Sequence, residues 1–209
     1  MDPKKANQQI MAVKRSILFD EKFFTGFCPK SEYDFYKLIT NNYSFYRRGD
    51  IESDESLQQP IPYCIVCNPD KSKVLVYKRN PNFSGEARLH NNLSIGVGGH
   101  IEDIDVDKDS SDPILCATLR EIKEEIGIDA NSCIEFKGLL NDETSPVERV
   151  HVGLIFVVCV DENLIRNDDP ELMDISFVSW DELFKLHEDK SVSFDTWSTI
   201  LYRNKSLFL

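Results

Sequence analysis

A run of apolar residues from Val152 to Val160 constrains the fold of this chain more than any other segment. It covers about half of the ~20 residues that a helix needs to cross a bilayer, so we expect a buried strand and no membrane span. Further strand-like runs lie on both sides of it. The predicted strands are 63–67, 73–78, 92–97, 135–140, 150–160 and 175–178. Mixed with few helices, these strands predict an α/β protein with a layered, mixed sheet.

The first sixty residues form a separate part of the predicted organisation. Ten aromatic side chains lie between residues 10 and 50, and so much apolar area must pack on the main body or on a second subunit. Ser31 is expected to cap a short helix there. The acidic stretch from Gly49 to Pro62, which ends in two prolines, predicts a loop. We therefore divide the chain into an N-terminal α+β extension, 1–60, and a main domain, 61–209. A homodimer through the extension is a hypothesis.

The charge of the chain restricts its partners. It has 24 Lys and Arg against 36 Asp and Glu, a net charge of -12, and no basic block. Such a surface repels phosphate backbones, which argues against a groove for nucleic acid. The polar N-terminal residues lack the apolar centre of a secretory signal, so we expect a cytoplasmic protein.

Six cysteines are spread along the chain, and only Cys64 and Cys67 form a CxxC motif. Because both lie in a predicted strand, their side chains are expected to point to opposite faces of the sheet. A metal shared between them is therefore disfavoured, and no second CxxC completes a zinc site. We interpret the pair as buried structural thiols.

The segment from Asp112 to Ile128 carries the strongest helix pattern in the sequence. Asp112 is suited to cap the helix, Pro113 to begin it and Gly127 to end it. At about 100° per residue, four apolar side chains share an arc of about 60°, which predicts the face that packs on the core. These side chains are Leu115, Leu119, Ile122 and Ile126.

Charged residues occupy the far side of the same helical wheel. They are Arg120, Glu121, Glu124 and Glu125. One interpretation is a solvated surface with an Arg120–Glu124 pair, worth a few tenths of a kcal/mol. The other is a cation site, because clustered carboxylates repel one another and hard oxygen ligands suit Mg²⁺ or Mn²⁺.

Residues Arg120 to Ile128 resemble the second half of the MutT/Nudix hydrolase signature, R-E-apolar-x-E-E-x-G-apolar, at every defined position. Upstream, Gly98 to Glu102 resembles the GG-x-apolar-E start of the same signature. The first half departs from the family pattern, because Asp112 stands where the family has Glu.

An insertion also separates the two halves of the signature. Compared with the usual spacing, about seven extra residues lie within 103–111, in a loop where insertions are tolerated. Aspartates alternate there and resemble a calcium loop, but Lys108 and Ile114 stand where such a loop needs Gly and Glu. We therefore interpret the insertion as a solvated acidic loop.

The resemblance implies a Nudix-type α/β/α sandwich with a mixed β-sheet, similar to a predicted phosphoesterase branch of the superfamily. It implies hydrolysis of a diphosphate bond in a nucleoside diphosphate-linked or related small phosphorylated substrate, with Mg²⁺ or Mn²⁺. Glu124 and Glu125 would be the principal metal ligands, with the backbone carbonyl of Gly98 nearby. Glu121 would be an additional ligand or the base for the attacking water, and Arg120 would hold the glutamates in position.

Residues outside the signature complete the candidate site. Lys78, Arg79 and Arg88 are candidates to bind phosphate. Members of the family often add a carboxylate from outside the signature, and Glu171 is the first candidate for it. The alternatives are Asp174, Glu143 and Glu148.

Two other functions are weighed against hydrolysis. A non-hydrolytic nucleotide-binding or regulatory module on the same fold fits the replacement at Asp112 and the long insertion. A Nudix-like diphosphate isomerase would have a cysteine shortly before the signature, and residues 91–97 contain none, so it is disfavoured.

Overall fold

The computed structural model describes residues 3–82, 92–106, 112–129, 133–167, 169–207 and 209. The strands are β1 (Gln9–Lys14), β2 (Gly26–Pro29), β3 (Tyr43–Arg47), β4 (Leu57–Cys67), β5 (Lys73–Arg79), β6 (Leu93–Ser94), β7 (Gly96–Val97), β8 (Ile134–Asn141), β9 (His151–Cys159) and β10 (Leu172–Ser179). The α-helices are α1 (Pro3–Ala6), α2 (Arg15–Leu18), α3 (Phe35–Asn42), α4 (Arg48–Ile51), α5 (Pro113–Ile126), α6 (Trp180–Glu188) and α7 (Thr196–Arg203). Short 3₁₀ helices cover Asp103–Asp105, Glu148–Val150, Glu162–Leu164 and Lys205–Leu207. Of the helices in this part of the chain, none is long and apolar enough to span a membrane.

One mixed sheet forms the centre of the molecule. Six of its strands follow the order β10-β5-β4-β9-β8-β2, while β1 pairs with β3 and β4. Strands β4 and β9 run parallel from Gln59 opposite His151 to Cys67 opposite Cys159. Strands β8 and β5, which flank this pair, are antiparallel to β9 and β4 respectively. The apolar run of the sequence is therefore a central strand, as expected.

Alternate residues of β4 face two different hydrophobic layers. Cys64 and Val66 pack in one cluster with the apolar side chains of α5. Ile65 packs in the other cluster with Leu183 of α6 and Leu201 of α7. Helices therefore cover both faces of the sheet, which confirms the predicted α/β/α sandwich.

The N-terminal extension packs on the same face of the sheet as α5. Met11 of β1 and Phe35 of α3 are buried in one cluster with Ile122 of α5. The ring of Tyr36 lies against that of Phe136, with 4.9 Å between the ring centroids. The aromatic side chains of the extension thus bury much of their area in the core of the main domain.

The predicted helix cap in the extension is wrong. Ser31 does not begin a helix, because α3 starts at Phe35. The side chain of Asp34 caps it by accepting a hydrogen bond from the Lys37 amide at 3.1 Å. Aspartate and serine are equally good caps, and local sequence does not choose between them.

The predicted loop at residues 49–62 is mostly wrong, because only residues 52–56 lie outside helix and strand. Helix α4 occupies its start, and from Leu57 onward the chain is strand β4. Pro60 and Pro62 lie within this strand opposite Val152 and Leu154 of β9, so the predicted boundary after residue 60 falls inside a strand. Pairing with a buried central strand outweighs the turn preference of the two prolines.

The remaining predicted strands are present, and one of them is divided. Residues 92–97 form β6, which pairs with β5, and β7, which pairs with β4. The chain changes partner at Ile95, whose amide donates instead to the Ser198 hydroxyl at 3.0 Å. This change brings the chain after β7 across the end of β4 and toward α5.

A buried cap should carry more of the stability than an exposed one. Asp195 caps α7 by accepting hydrogen bonds from the amide and the hydroxyl of Ser198, at 2.6 and 2.9 Å. We expect Asp195→Ala to lower the free energy of unfolding by about 2–4 kcal/mol, because it leaves buried donors without partners. Urea unfolding measures it, with Asp34→Ala at the exposed cap of α3 as the control, expected to cost about 1 kcal/mol. Equal losses would contradict the prediction.

Candidate active site

Helix α5 begins and ends where the sequence indicates. The side chain of Asp112 accepts a hydrogen bond from the Leu115 amide, and Pro113 occupies the first turn. Gly127 ends the helix in the left-handed region, at φ 68°. These local signals are confirmed because they depend only on backbone groups of the helix itself.

The predicted orientation of α5 is partly wrong. Leu115, placed on the core face, is 38% exposed, whereas Glu125, placed on the far side, is only 7% exposed. Ile122 and Ile126 are buried as predicted, and Ile114 is buried with them. The helix is therefore turned so that Glu125 lies between apolar residues, facing the sheet.

The glycine pair after β7 makes room for the inward glutamates. Gly98 has φ 148°, and its N–H donates to the Glu125 carboxylate at 3.0 Å. The backbone of Gly98 lies so close to the Pro62 carbonyl that a Cβ would collide with it. A Cβ on Gly99 would lie 2.6 Å from the Glu121 carboxylate. The two glycines thus allow both carboxylates to approach the backbone.

Arg120 connects the helix to the loop that precedes it. Its guanidinium donates to both carboxylate oxygens of Asp105, each at 2.8 Å, and to the carbonyl of His100 at 2.9 Å. It also donates to Glu121 at 2.6 Å and to Glu124 at 3.3 Å. A bidentate pair of this kind fixes geometry as well as charge. Arg120 therefore positions the acidic groups around it.

Asp105 is a site residue that the sequence did not single out. We interpreted the inserted aspartates as a solvated loop, yet Asp105 is buried against Arg120. It also accepts a hydrogen bond from the Glu102 amide at 2.8 Å. In the sequence Asp105 is one of several alternating aspartates, and this pattern does not show which of them is buried. Residues 107–111 of the insertion lie outside the described part of the chain.

Burial changes the protonation of the two inward carboxyls. It raises the pKa of Glu121 to about 7, against the lowering effect of Arg120. It raises the pKa of Glu125 to about 8, against the lowering effect of Arg79. The charge of Glu121 also raises the pKa of Glu125, and the charges of Glu124 and Asp105 raise the pKa of Glu121. Glu124 is different, because its side chain is 61% exposed.

The phosphate candidates on β5 have different surroundings. Arg79 lies over the Tyr77 ring, 5.4 Å from its centroid. Its Nε atom is buried and has no hydrogen-bond partner among the described residues. Lys78 is the preceding residue in β5. Because side chains alternate along a strand, that of Lys78 points to the opposite face of the sheet from Arg79 and Glu125. Arg88 lies outside the described residues.

The candidate carboxylates outside the signature are engaged elsewhere or lie apart. Glu171 faces Lys5 of the extension, with 3.6 Å between carboxylate and ammonium. Glu143 pairs with Arg15 at 2.7 Å. Asp174 lies in strand β10 with a positive φ of 53°. Glu148 lies in a 3₁₀ helix before β9. Asp169, which the sequence did not indicate, is near enough for its charge to raise the pKa of Glu125.

The residue after the glycine pair, His100, is half-buried and is held by the buried His151 and by Gln59. His151 places Nδ1 2.7 Å from the Val147 carbonyl, so Nδ1 carries its proton and Nε2 is an acceptor. Nε2 of His100 lies 3.2 Å from this acceptor and 3.0 Å from Oε1 of Gln59, which makes it the donor. Burial lowers the pKa of both rings, so the pair is neutral at neutral pH. The glycine loop is thereby attached to the start of β4 and β9, where Gln59 and His151 lie.

The donor types of this site fit a hard divalent cation. Glu121, Glu124 and Glu125 offer carboxylate oxygens from one helix, which Mg²⁺ and Mn²⁺ prefer. A cation would also balance the two carboxyls whose pKa values burial raises. In the described residues, no three His, Cys, Asp or Glu side chains are grouped as a metal centre, and Glu121 is instead held by Arg120. The carboxylate ligands are therefore of the type that such a cation prefers, while Glu121 is paired with Arg120 in this structure.

Fold and site together define the class of this protein. A glycine pair that follows a strand, and a helix with inward glutamates fixed by an arginine, lie in an α/β/α sandwich. The NUDIX domain profile matches residues 57–197, which is more than half of the chain. The chain therefore belongs to the Nudix family, and its matches support a hydrolase of the pyrophosphohydrolase type.

Individual proteins resemble this chain in fold or in sequence. The crystal structure of Tm1382, a proposed Nudix hydrolase, superposes with a TM-score of 0.71 at 25% identity, covering 95% of this chain and 98% of that chain. The NUDIX domain of Shewanella oneidensis NrtR, solved with ADP ribose, shares the fold with a TM-score of 0.51 at 15% identity, over 72% of this chain and 88% of that chain. Protein YmaB of Bacillus subtilis is 38% identical over 115 residues, 54% of each chain. The match thus spans about half the length of that curated relative.

The close contact at Gly98 gives a prediction for the loop. We expect Gly98→Ala to lower the free energy of unfolding by about 2–4 kcal/mol, because strain at positive φ adds to a collision with the Pro62 carbonyl. Gly26→Ala is the matched control, since Gly26 has φ 92° but no atom within 4 Å of its missing Cβ. It is expected to cost about 1–2 kcal/mol of backbone strain alone. Equal costs in chemical denaturation would show that the collision is absent.

The raised pKa of Glu125 predicts a pH-dependent cost of the site in metal-free protein. Because the pKa is about 8 in the fold against an ordinary 4.5, stability is retained below about pH 4.5 and lost as pH rises through about 8. We expect Glu125→Gln to raise the melting temperature at pH 9 but not at pH 4.5, since glutamine still accepts from the Gly98 amide. Thermal unfolding across this range tests it. Glu124→Gln, at an exposed position, is the control and should show no such trend.

Proposed function

We propose that this protein is a metal-dependent hydrolase that cleaves a diphosphate bond in a nucleoside diphosphate-linked or related small phosphorylated substrate. The observation that carries the proposal is the inward position of Glu121 and Glu125 against Gly98 and Gly99. A stable fold does not need two repelling carboxyls on the buried side of a helix. Groups with such perturbed pKa values mark functional sites in many enzymes.

The glutamates of α5 would hold the cation. Glu124 lies at the exposed edge of the site and Glu125 at its buried end. These two carboxylates and the carbonyl of Gly98 are the groups that would hold the ion. Bound Mg²⁺ or Mn²⁺ supplies charge neutralisation for the diphosphate and lowers the pKa of water. Without a cation, the acidic chain would repel this substrate.

Glu121 is suited to accept the proton from the attacking water. Its pKa of about 7 allows it to take up a proton near neutral pH. The guanidinium of Arg120 at 2.6 Å holds its carboxylate in one direction. Arg120 is in turn fixed by Asp105 and the His100 carbonyl, so the position of the base depends on the loop that carries the glycine pair.

Arg79 is the phosphate contact that the geometry favours among the basic candidates. Its side chain lies on the face of the sheet against which α5 packs, the same side as Glu125. Its Nε is buried and has no hydrogen-bond partner among the described residues. A phosphate oxygen would supply the missing acceptor. Lys78, on the other face of β5, and Arg88 and Glu171 are not needed for this contact. The ADP ribose bound by the NrtR domain is a compound of the proposed chemical type, a nucleoside diphosphate linked to a sugar.

The proposed activity is tested with a panel of nucleoside diphosphate-linked compounds, ADP ribose included, in the presence of Mg²⁺ or Mn²⁺. We expect release of phosphate monoesters and a loss of at least about 100-fold in kcat for Glu124→Gln and for Glu125→Gln. Glu188→Gln, an exposed glutamate on α6, is the matched control and should retain full activity. Arg79→Gln should chiefly raise KM.

Unchanged turnover in both glutamate variants would overturn the proposal. A second result would point to the other candidate, a nucleotide-binding or regulatory module. That result is tight binding of a panel compound by calorimetry, with no turnover in wild-type protein under any metal. The position of Asp112, which is used as a helix cap where the family has Glu, is the observation that keeps this candidate open.

A further inference from the structure

Three cysteines from distant parts of the sequence lie side by side at one end of the sheet. Cys67 ends β4, Cys159 ends β9, and the two are direct partners in the parallel pair. Cys133 precedes β8 by one residue, and its carbonyl accepts a hydrogen bond from the Cys159 amide at 3.2 Å. The three residues therefore form a row across three neighbouring strands, β4, β9 and β8.

The side chains of this row share one face of the sheet. Cys67 and Cys159 both pack in the cluster that contains the residues of α6 and α7. Cys64 packs on the opposite face, as the alternation of the CxxC motif predicted. Cys133 lies opposite Cys159, because Ile134 and Val158 are the next pair along the ladder, and opposite residues in an antiparallel pair share a face.

Exposure decreases along the row. Cys133 is exposed, Cys159 is half-buried and Cys67 is fully buried. Burial raises the pKa of the Cys67 thiol to about 12. It also raises the pKa of the Cys159 thiol, and the adjacent Cys133 sulfur adds to this effect, while Lys71 and Lys137 oppose it. Only the outer thiol, Cys133, is open to a reagent in solution.

The backbone geometry at Cys133 and Cys159 suits a disulfide. Residues that exchange a hydrogen bond across an antiparallel pair have Cα atoms about 5.5 Å apart, and disulfides most often join Cα atoms about 5.5–6 Å apart. Little backbone movement is therefore required. The proposed hydrolytic site uses none of these thiols, which lie at the opposite end of β4 and β9 from His100 and Gln59.

We propose that Cys133 and Cys159 form a thiol–disulfide exchange site for small-molecule disulfides. The Cys133 thiolate attacks one sulfur of the reagent, forms a mixed disulfide with it and releases the first small thiolate. Cys159 then loses its proton and attacks the Cys133 sulfur, which releases the second small thiolate and leaves the Cys133–Cys159 bond. The protein loses two electrons and two protons, and the reagent gains them as two thiols.

The experiment treats the reduced full-length chain with oxidised glutathione, blocks free thiols by alkylation and measures intact and peptide masses. We expect wild-type protein to lose two hydrogens and to keep no glutathione, with Cys133 and Cys159 joined in one peptide pair. Cys159→Ser should make the glutathione adduct at Cys133 the major species. Cys133→Ser, a change at an exposed position, should give neither product at these sites.

Cys67→Ala is the control within the row and should behave as wild type, since Cys67 takes no part in the exchange. Circular dichroism confirms that each variant is folded. A stable glutathione adduct on wild-type Cys133, a bond between Cys67 and Cys159, or unreacted thiols at both positions would each overturn the proposal. These outcomes do not depend on the hydrolase activity, because no substrate is present.

Discussion

The parallel pairing of β4 with β9 is the constraint on which the rest of the structure depends. The pair extends from Gln59 opposite His151 to Cys67 opposite Cys159, and it is buried on both faces. The other layers pack on this pair. Helix α5 and the N-terminal extension cover one face, and α6 and α7 cover the other. Parallel strands need such cover on both sides, and the chain supplies it from segments before and after the pair.

The two ends of this pair carry different chemistry. At one end, Gln59 and His151 hold His100, and the Pro62 carbonyl limits Gly98 to a residue without Cβ. The glycine loop is thus attached to the buried central pair of strands before α5 begins. At the other end, the same register brings Cys67 and Cys159 together. A single strand pairing therefore positions both the carboxylate site and the thiol row.

In the candidate active site, the surrounding residues offset the repulsion between the carboxylates. Glu125 is buried and Glu121 is partly buried. The fold tolerates them because Arg120 and Arg79 lower their pKa values in part. Arg120 is itself compensated by Asp105, so the charges form a chain from the insertion loop to the buried end of α5. Breaking one member leaves a buried charge unpaired, which is costly. The site is consequently a unit rather than three independent glutamates.

Sequence alone predicted what depends on local backbone or on alternation. Asp112 and Gly127 mark the ends of α5 because their effects are complete within one helical turn, and the central strand followed from its apolar run. The rotation of α5 did not follow, because a helical wheel gives relative angles and not the direction of the sheet. For that reason Leu115 was wrongly predicted to be buried and Glu125 to be exposed. Asp105 was not singled out, and Arg79 was not preferred over Lys78 and Arg88. The positions of both residues relative to α5 are determined by the tertiary fold, which the sequence pattern does not give.

The position of Asp112 shows why a departure from a signature is best judged in three dimensions. One of its oxygens accepts from the Leu115 amide at 3.1 Å, and the other accepts from the Tyr36 hydroxyl at 2.7 Å. Tyr36 belongs to the extension and packs on Phe136 of β8. Aspartate, with its shorter side chain, suits a helix cap better than glutamate does. The residue at this position thus joins the extension to the start of α5, while Glu121, Glu124 and Glu125 remain available more than two turns further along the helix.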